Sequence, residues 1–131
     1  MAKRRIETAQ APKPVGPYSQ AVVVDGWIFV AGQVPIDPAT GQWVQGDISA
    51  QTERVLRNLE AILAAAGASL HDVVKTTVYL ADLGEFAAMN AVYARFFTDA
   101  CPPARATVAA KHLPGGCKLE IEAVARIGAS A

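Results

Sequence analysis

The chain has 131 residues, with twelve basic residues against twelve acidic ones and a hydrophobic content of 52%. That length suits a single domain over 1–131, and the balanced charge gives no support to a nucleic-acid-binding face. No apolar run nears the ~20 residues of a membrane span, no signal-peptide pattern opens the chain, and Cys101 and Cys117 have neither metal nor redox spacing, so a reduced cytoplasmic protein is expected.

Residues 1–17, with Pro12, Pro14 and Pro17, predict an extended arm and then a turn. The Lys3-Arg4-Arg5 triplet is expected to be a solvated terminus. Ala21–Val24 and Trp27–Val30 flank Asp25-Gly26, a strong hairpin signal because both turn residues tolerate positive φ. Asp37–Gly41 is turn-rich, and Trp43-Val44 is expected as a short edge strand. Asp47 and Ser49 are candidate caps for a helix over Ser49–Ala66, whose apolar positions (Val55, Leu56, Leu59, Ile62, Leu63) recur at helical spacing and which Gly67 ends. Val73–Leu80 is rich in β-branched residues and predicts a strand. Asp82–Glu85 has the pattern of a capping box. A second helix follows, with Phe86, Met89, Tyr93, Phe96 and Phe97 on one stripe, ended by Cys101-Pro102-Pro103. Ala104–Ala110 and Lys118–Ile127 predict two final strands joined by a turn at Pro114-Gly115-Gly116. The order β-β-(β)-α-β-α-β-β, with hairpins at both ends, predicts an α+β mixed sheet with both helices on one face. The apolar excess, and Val124 among charges, suggest that another subunit covers the other face.

Familiar catalytic signatures are missing from the sequence: no nucleophile elbow, phosphate loop, zinc helix or dinucleotide fingerprint occurs. His71 and His112 lie far apart, so no metal site is expected. Lys75 reads as a sheet-surface lysine rather than a Schiff base. Arg105 is more suggestive, because it leads a strand of small residues and its guanidinium fork suits a carboxylate. Glu120 lies on the polar face of the next strand, and adjacent hairpin strands would bring the two together. Pattern alone leaves this pair open between a site and an ordinary cross-strand ion pair.

Pro103-Ala104-Arg105-Ala106-Thr107-Val108, with Leu113 and Leu119-Glu120-Ile121, closely resembles the C-terminal signature of the RidA/YjgF family. Gly16-Pro17-Tyr18-Ser19-Gln20-Ala21, Ala31-Gly32-Gln33-Val34, Val74–Val78 and Phe86–Phe97 resemble further family blocks in register, so the resemblance covers nearly the whole chain. It implies a chorismate-mutase-like fold, a homotrimer around a central barrel with clefts between subunits, and cofactor-free hydrolysis of 2-aminoacrylate, 2-aminocrotonate and their imine tautomers to 2-oxo acids and ammonia. Pyridoxal-phosphate dehydratases would supply these small-molecule substrates. On this resemblance Arg105 holds the substrate carboxylate, the Gly32 N–H adds a donor, and Glu120 positions and deprotonates water. Tyr18 and Asn90 line the cleft, although Tyr18 also reads as an interface aromatic and Asn90 as a helix-surface amide.

Ala31 stands where many members have Ser, and Thr107 where many have Cys; both positions are expected to touch substrate, and the changes to shift rate or preference. Two rival readings are a non-catalytic trimer that binds small acids and an endoribonuclease or translation inhibitor. Glu120 argues against the first, since a carboxylate binder gains nothing from a second negative group. The second lacks a histidine pair and a basic balance.

Overall fold

The computed structural model describes residues 2–130. The N-terminal arm is not a frayed end. Its first segment, β1 (Arg4–Ile6), pairs antiparallel with β2 (Ala21–Val24), so Arg4 and Arg5 stand in a strand with exposed side chains. Gln20 is the reason. Its buried amide accepts from the Thr8 N–H and donates to the Thr8, Ala11 and Pro12 carbonyls. A buried amide needs such partners, and the arm supplies them.

Asp25 and Gly26 take φ of 52° and 80°. Positive φ at both central residues is the two-residue turn that matches strand twist, and β2 pairs with β3 (Trp27–Gln33) as the sequence predicts. Trp43-Val44 does not join this sheet. β4 (Ile36–Asp37) and β5 (Gln42–Trp43) form their own two-stranded sheet, and Val44 donates only its N–H to the Pro35 carbonyl.

α1 (Ile48–Ala65) begins one residue before Ser49, because the Asp47 carboxylate accepts from the Ala50 N–H at 2.9 Å and so makes Asp47 the cap. Val55, Leu56, Leu59, Ile62 and Leu63 are fully buried, each contributing roughly 1.5–3 kcal/mol by leaving water. A complete capping box occurs at Ser69–Asp72, just before β6 (Val73–Leu80). At Asp82–Glu85 only half of one forms. Asp82 accepts from the Gly84 N–H, but the Glu85 carboxylate turns to Lys118 Nζ at 3.8 Å. α2 (Phe86–Phe96) follows, then β7 (Ala104–Ala109) and β8 (Leu119–Arg126).

The main sheet has the order β1-β2-β3-β8-β6-β7. The expected C-terminal hairpin is therefore absent: β6 lies between β7 and β8, parallel to the first and antiparallel to the second. Burial explains the placement. Val78 and Leu80 of β6 and Leu119 and Ile121 of β8 are fully buried, whereas β7 is mostly exposed alanine and suits an edge. Ile28, Val30, Val78, Ile121, Ala123 and Ala125 face the helices, giving an α+β layer pair. The opposite, open face exposes Trp27, Phe29 and Val108 by 40–49%.

Candidate functional site

The residues singled out in the sequence fall into two clusters. The first lies between α2 and the edge strand β7. Phe86, Asn90 and Tyr93 share one helix face through their i, i+4, i+7 spacing. Arg105 Nη1 donates to Asn90 Oδ1 at 2.7 Å, and its guanidinium carbon sits 4.6 Å from the Tyr93 ring centroid and 5.4 Å from that of Phe86. Such cation–π contacts hold a guanidinium without neutralising it. Among the described residues, no carboxylate pairs with Arg105. Tyr93 is fixed in turn, since its hydroxyl and that of Thr76 lie 2.7 Å apart in the core. Burial pushes the Tyr93 hydroxyl above its ordinary range, against the opposing Thr76 hydrogen bond and Arg105 charge, so it stays neutral. Thr107, two residues beyond Arg105 and on the same face, has a buried hydroxyl with no hydrogen-bond partner. An orphaned buried hydroxyl costs about 1–3 kcal/mol, and such groups recur at functional sites.

The second cluster lies where β3 loses register with β8, between Val30 and Gln33. The irregularity releases the Ala31-Gly32 backbone from regular pairing. Glu120 uses the space: a Cβ at Gly32 would collide with its carboxylate. Glycine there lets the carboxylate approach the backbone closely, and a side chain would displace it; no unusual φ is involved. Burial pushes the Glu120 carboxyl above the ordinary glutamate range, and nearby Glu122 adds repulsion. Glu122 itself accepts from the Tyr79 hydroxyl, while Glu120 has no partner among the described side-chain hydrogen bonds and ion pairs. Glu120 lines a cleft of about 570 Å³ together with Tyr18, Ala31 and Gly32 and the polar Lys13 and Gln33. Tyr18 is half-exposed on the rim, its hydroxyl accepting from the Val15 N–H at 3.3 Å.

The two clusters do not meet within the chain. Arg105 stands opposite Thr76, and Glu120 opposite Tyr79. Thr76 and Tyr79 are an odd number of residues apart on one strand and so point to opposite faces. Arg105 faces the helices; Glu120 faces the open side, two strand spacings (roughly 9–10 Å) across the sheet. The cross-strand pairing of Arg105 with Glu120 is thereby overturned, because β6 separates their strands. His71 hydrogen-bonds Asp99 elsewhere on the surface. Sequence reading placed Phe86 and Tyr93 in a packing stripe and missed them as the aromatic bed of Arg105. Their spacing around Asn90 was the available signal. It also missed Trp43, Ile36 and Pro114 as cleft walls, which no local pattern marks.

Among the described residues, no helix is long and apolar enough to cross a membrane. Residues 8–127 match the family model described as Endoribonuclease L-PSP. The chain is 58% identical over 125 residues to a RutC family protein of Pyrococcus abyssi, covering 95% of this chain and 98% of that protein. It is 46% identical over 125 residues to the human protein named 2-iminobutanoate/2-iminopropanoate deaminase, covering 95% and 90%. The crystal structure of RidA from the Antarctic bacterium Psychrobacter superposes with a TM-score of 0.90 at 44% identity, covering 95% and 99%. With the matching Arg105 and Glu120 blocks placed on that same fold, the chain belongs to the RidA/YjgF family.

Proposed function

We propose that this protein hydrolyses 2-imino acids and their enamine tautomers, such as 2-iminobutanoate and 2-iminopropanoate, to 2-oxo acids and ammonia, in sites shared between subunits of a homotrimer. The observation that carries the reading is the complementary incompleteness of the two clusters. One holds a rigid cation with no carboxylate partner; the other holds an uncommitted carboxylate in a cleft. Each chain has both, on opposite sheet faces, so one chain's Arg105 half meets another's Glu120 half only across an interface. The exposed Trp27, Phe29 and Val108 on the open face are what a neighbouring subunit would cover.

In this site Arg105 grips the substrate carboxylate with charge-assisted hydrogen bonds, and Asn90 and the two rings fix its direction. The Thr107 hydroxyl and the Gly32 N–H supply further polar contacts, and Tyr18 closes the rim beside Ala31. Glu120 accepts a proton from water as the water oxygen bonds to the imine carbon. Glu120 then returns that proton to the carbinolamine nitrogen, the C–N bond breaks as the hydroxyl proton is lost to form the carbonyl and is taken up by the departing ammonia, and ammonium and the 2-oxo acid leave. An iminium carboxylate plus one water balances against a 2-oxo carboxylate plus ammonium. The barrier is modest, because imines already hydrolyse in water, so orientation and one activated water suffice. A carboxyl raised above the ordinary glutamate value is a stronger base once ionised.

The test feeds 2-aminocrotonate, made in situ by a threonine dehydratase, to the protein and to Arg105→Ala, and follows 2-oxobutanoate. Accelerated release by the wild type and loss of about 10²-fold or more in the variant are expected. No acceleration with either this substrate or 2-aminoacrylate would sink the hydrolase reading and leave a small-acid binding site.

A further inference from the structure

Glu120 does not stand alone on the open face. Alternation along β8 puts Glu120, Glu122, Val124 and Arg126 on that side of the sheet. β6 sets Tyr79 directly opposite Glu120, Thr77 opposite Glu122 and Lys75 opposite Val124. Two carboxylates therefore stand ~7 Å apart along one strand, two residues at ~3.4 Å each. Covering this face with a neighbouring copy removes water and strengthens their repulsion.

The cations of this face are committed elsewhere. Lys75 Nζ donates to Thr77 Oγ1 at 3.0 Å, the Arg126 guanidinium lies 5.7 Å from the Trp27 ring centroid, and Arg5 at the sheet edge pairs with Glu7 at 3.4 Å. Among the described residues Glu122 has no ion pair. Its partner is a phenol: the Tyr79 hydroxyl donates to Glu122 Oε1. The ring starts opposite Glu120 and reaches diagonally along β8, a span that suits an aromatic side chain. Of the two carboxylates, Glu122 receives the phenol and Glu120 is left to the cleft. A hydroxyl donating to a carboxylate makes a charge-assisted bond, stronger to the anion than to the acid. That bond is the first cause pushing the Tyr79 hydroxyl above its ordinary range, so Tyr79 stays a donor at neutral pH. The other titratable neighbours of Glu120 are Lys13 and Tyr18 of the arm, which line the cleft with it, and the buried Cys117. β3 offers only Ala31, Gly32 and Gln33 there, and β7 sets Ala106 and Val108 beside Thr77 and Tyr79.

We propose that Tyr79 and Glu122 are positioning residues for the reaction: Tyr79 holds Glu122 as a fixed anion, and that anion directs the proton of the carboxylate pair to Glu120, the member that faces the cleft. The proposal rests on the imine-hydrolase reading for what Glu120 does with the proton, but the charge arrangement stands apart from it. Two interacting carboxylates titrate as a pair, and unequal surroundings give them separate roles. Here the inequality is one phenol. Glu120 must take a proton from water and then hand it to nitrogen, and a fixed negative charge beside it strengthens the first step.

The experiment follows the glutamate carboxyl carbons of the assembled, ¹³C-labelled protein by NMR against pH, with Glu120→Gln identifying the Glu120 signal, and measures kcat/KM on 2-iminobutanoate over the same range. Glu122→Gln keeps an oxygen for Tyr79 and removes only the charge. It should lower the Glu120 midpoint by about 0.5–1.5 units, the repulsion of two charges ~7 Å apart at a dielectric of ~20–80. Burial, the larger cause of the raised Glu120 value, remains, so the midpoint should stay above the ordinary glutamate range. Tyr79→Phe keeps the ring and should lower it by less. The acidic limb of kcat/KM should follow the midpoint in both variants. An unmoved or raised midpoint in Glu122→Gln means that the Glu122 charge is neutralised, within the chain or by a neighbour, and overturns the proposal. A midpoint equal to the wild type in Tyr79→Phe removes Tyr79 from it, and a limb that ignores the midpoint removes the link to the reaction. If the midpoints move as expected while no imine is turned over, the hydrolase reading fails and the directed proton stands.

Discussion

The α2–β7 cluster and the β3–β8 cluster solve opposite problems. The first holds a permanent charge still. Arg105 has a 2.7 Å hydrogen bond to Asn90 and two aromatic faces beneath it, yet no counterion among the described residues. The second keeps a carboxylate available. Glu120 is desolvated, repelled by Glu122, and laid over a glycine. A paired Arg or a solvated Glu would be more comfortable for the fold but less useful for chemistry. The difference teaches that the two halves are built differently as well as placed apart: on the proposed reading, one half orients the substrate and the other reacts with it. Because the halves occupy opposite sheet faces, each can be preorganised without the two neutralising one another inside a chain.

Several substitutions would break or sharpen that division. The largest effect is expected from Glu120→Gln, which removes the proposed base and should cost about 10²–10⁴-fold in kcat on 2-iminobutanoate. The same variant separates chemistry from stability. A glutamate whose folded pKa is raised contributes most to stability when protonated, and loses that contribution as pH rises through the raised pKa. Fixing the neutral form should therefore leave the neutral-pH Tm unchanged or higher; a clearly lower Tm would mean that the ionised carboxylate has a structural partner. In the wild type, the acidic limb of kcat/KM should lie above the ordinary glutamate range.

Mixing inactive Arg105→Ala and Glu120→Gln subunits tests the division directly. After unfolding and co-refolding in equal amounts, about a quarter of interface sites should regain both groups, by random pairing around a closed ring. Recovered 2-oxo acid formation near that level is expected. No recovery in mixed oligomers verified by mass spectrometry would place both groups of a site in one chain. Asn90→Ala should be milder. It frees Arg105 without removing its charge, so we expect about a tenfold rise in KM, the cost of one charge-assisted hydrogen bond. Equal kinetics would assign Arg105's orientation to Phe86 and Tyr93 alone. Ala31→Ser should have the smallest effect, a measurable change in turnover on at least one of several imines. Identical constants on all of them would show that this hydroxyl position is silent.

The elements themselves were largely legible. Asp25-Gly26 specified its hairpin, the spacing from Val55 to Leu63 specified α1, and alternation in β8 separated its buried and open faces. Those signals are local, since each depends on residues a turn or a pleat apart. The attachment of β1 was not legible, because it depends on where a single buried Gln20 amide finds its partners. The Asp82–Glu85 box looked complete in one dimension, but Glu85 found Lys118 in three.

Arg105 and Glu120 were identifiable as residues from the sequence alone, through the two blocks that resemble the family. Their relation was not. Adjacent strands in the chain suggested adjacent strands in space, but insertion of β6 between β7 and β8 put the two side chains on opposite faces. Strand order is set by which strands bury both faces best, and that depends on packing across the whole sheet. The Trp43 wall of the cleft belongs to the same class: its parts come from β4, β5 and the Pro114 turn. The sequence by itself determined the local conformations and the chemical identities of the site residues, since both are encoded in short-range pattern. Only the tertiary structure decided which of them share a surface, because long-range packing, not sequence order, chooses neighbours.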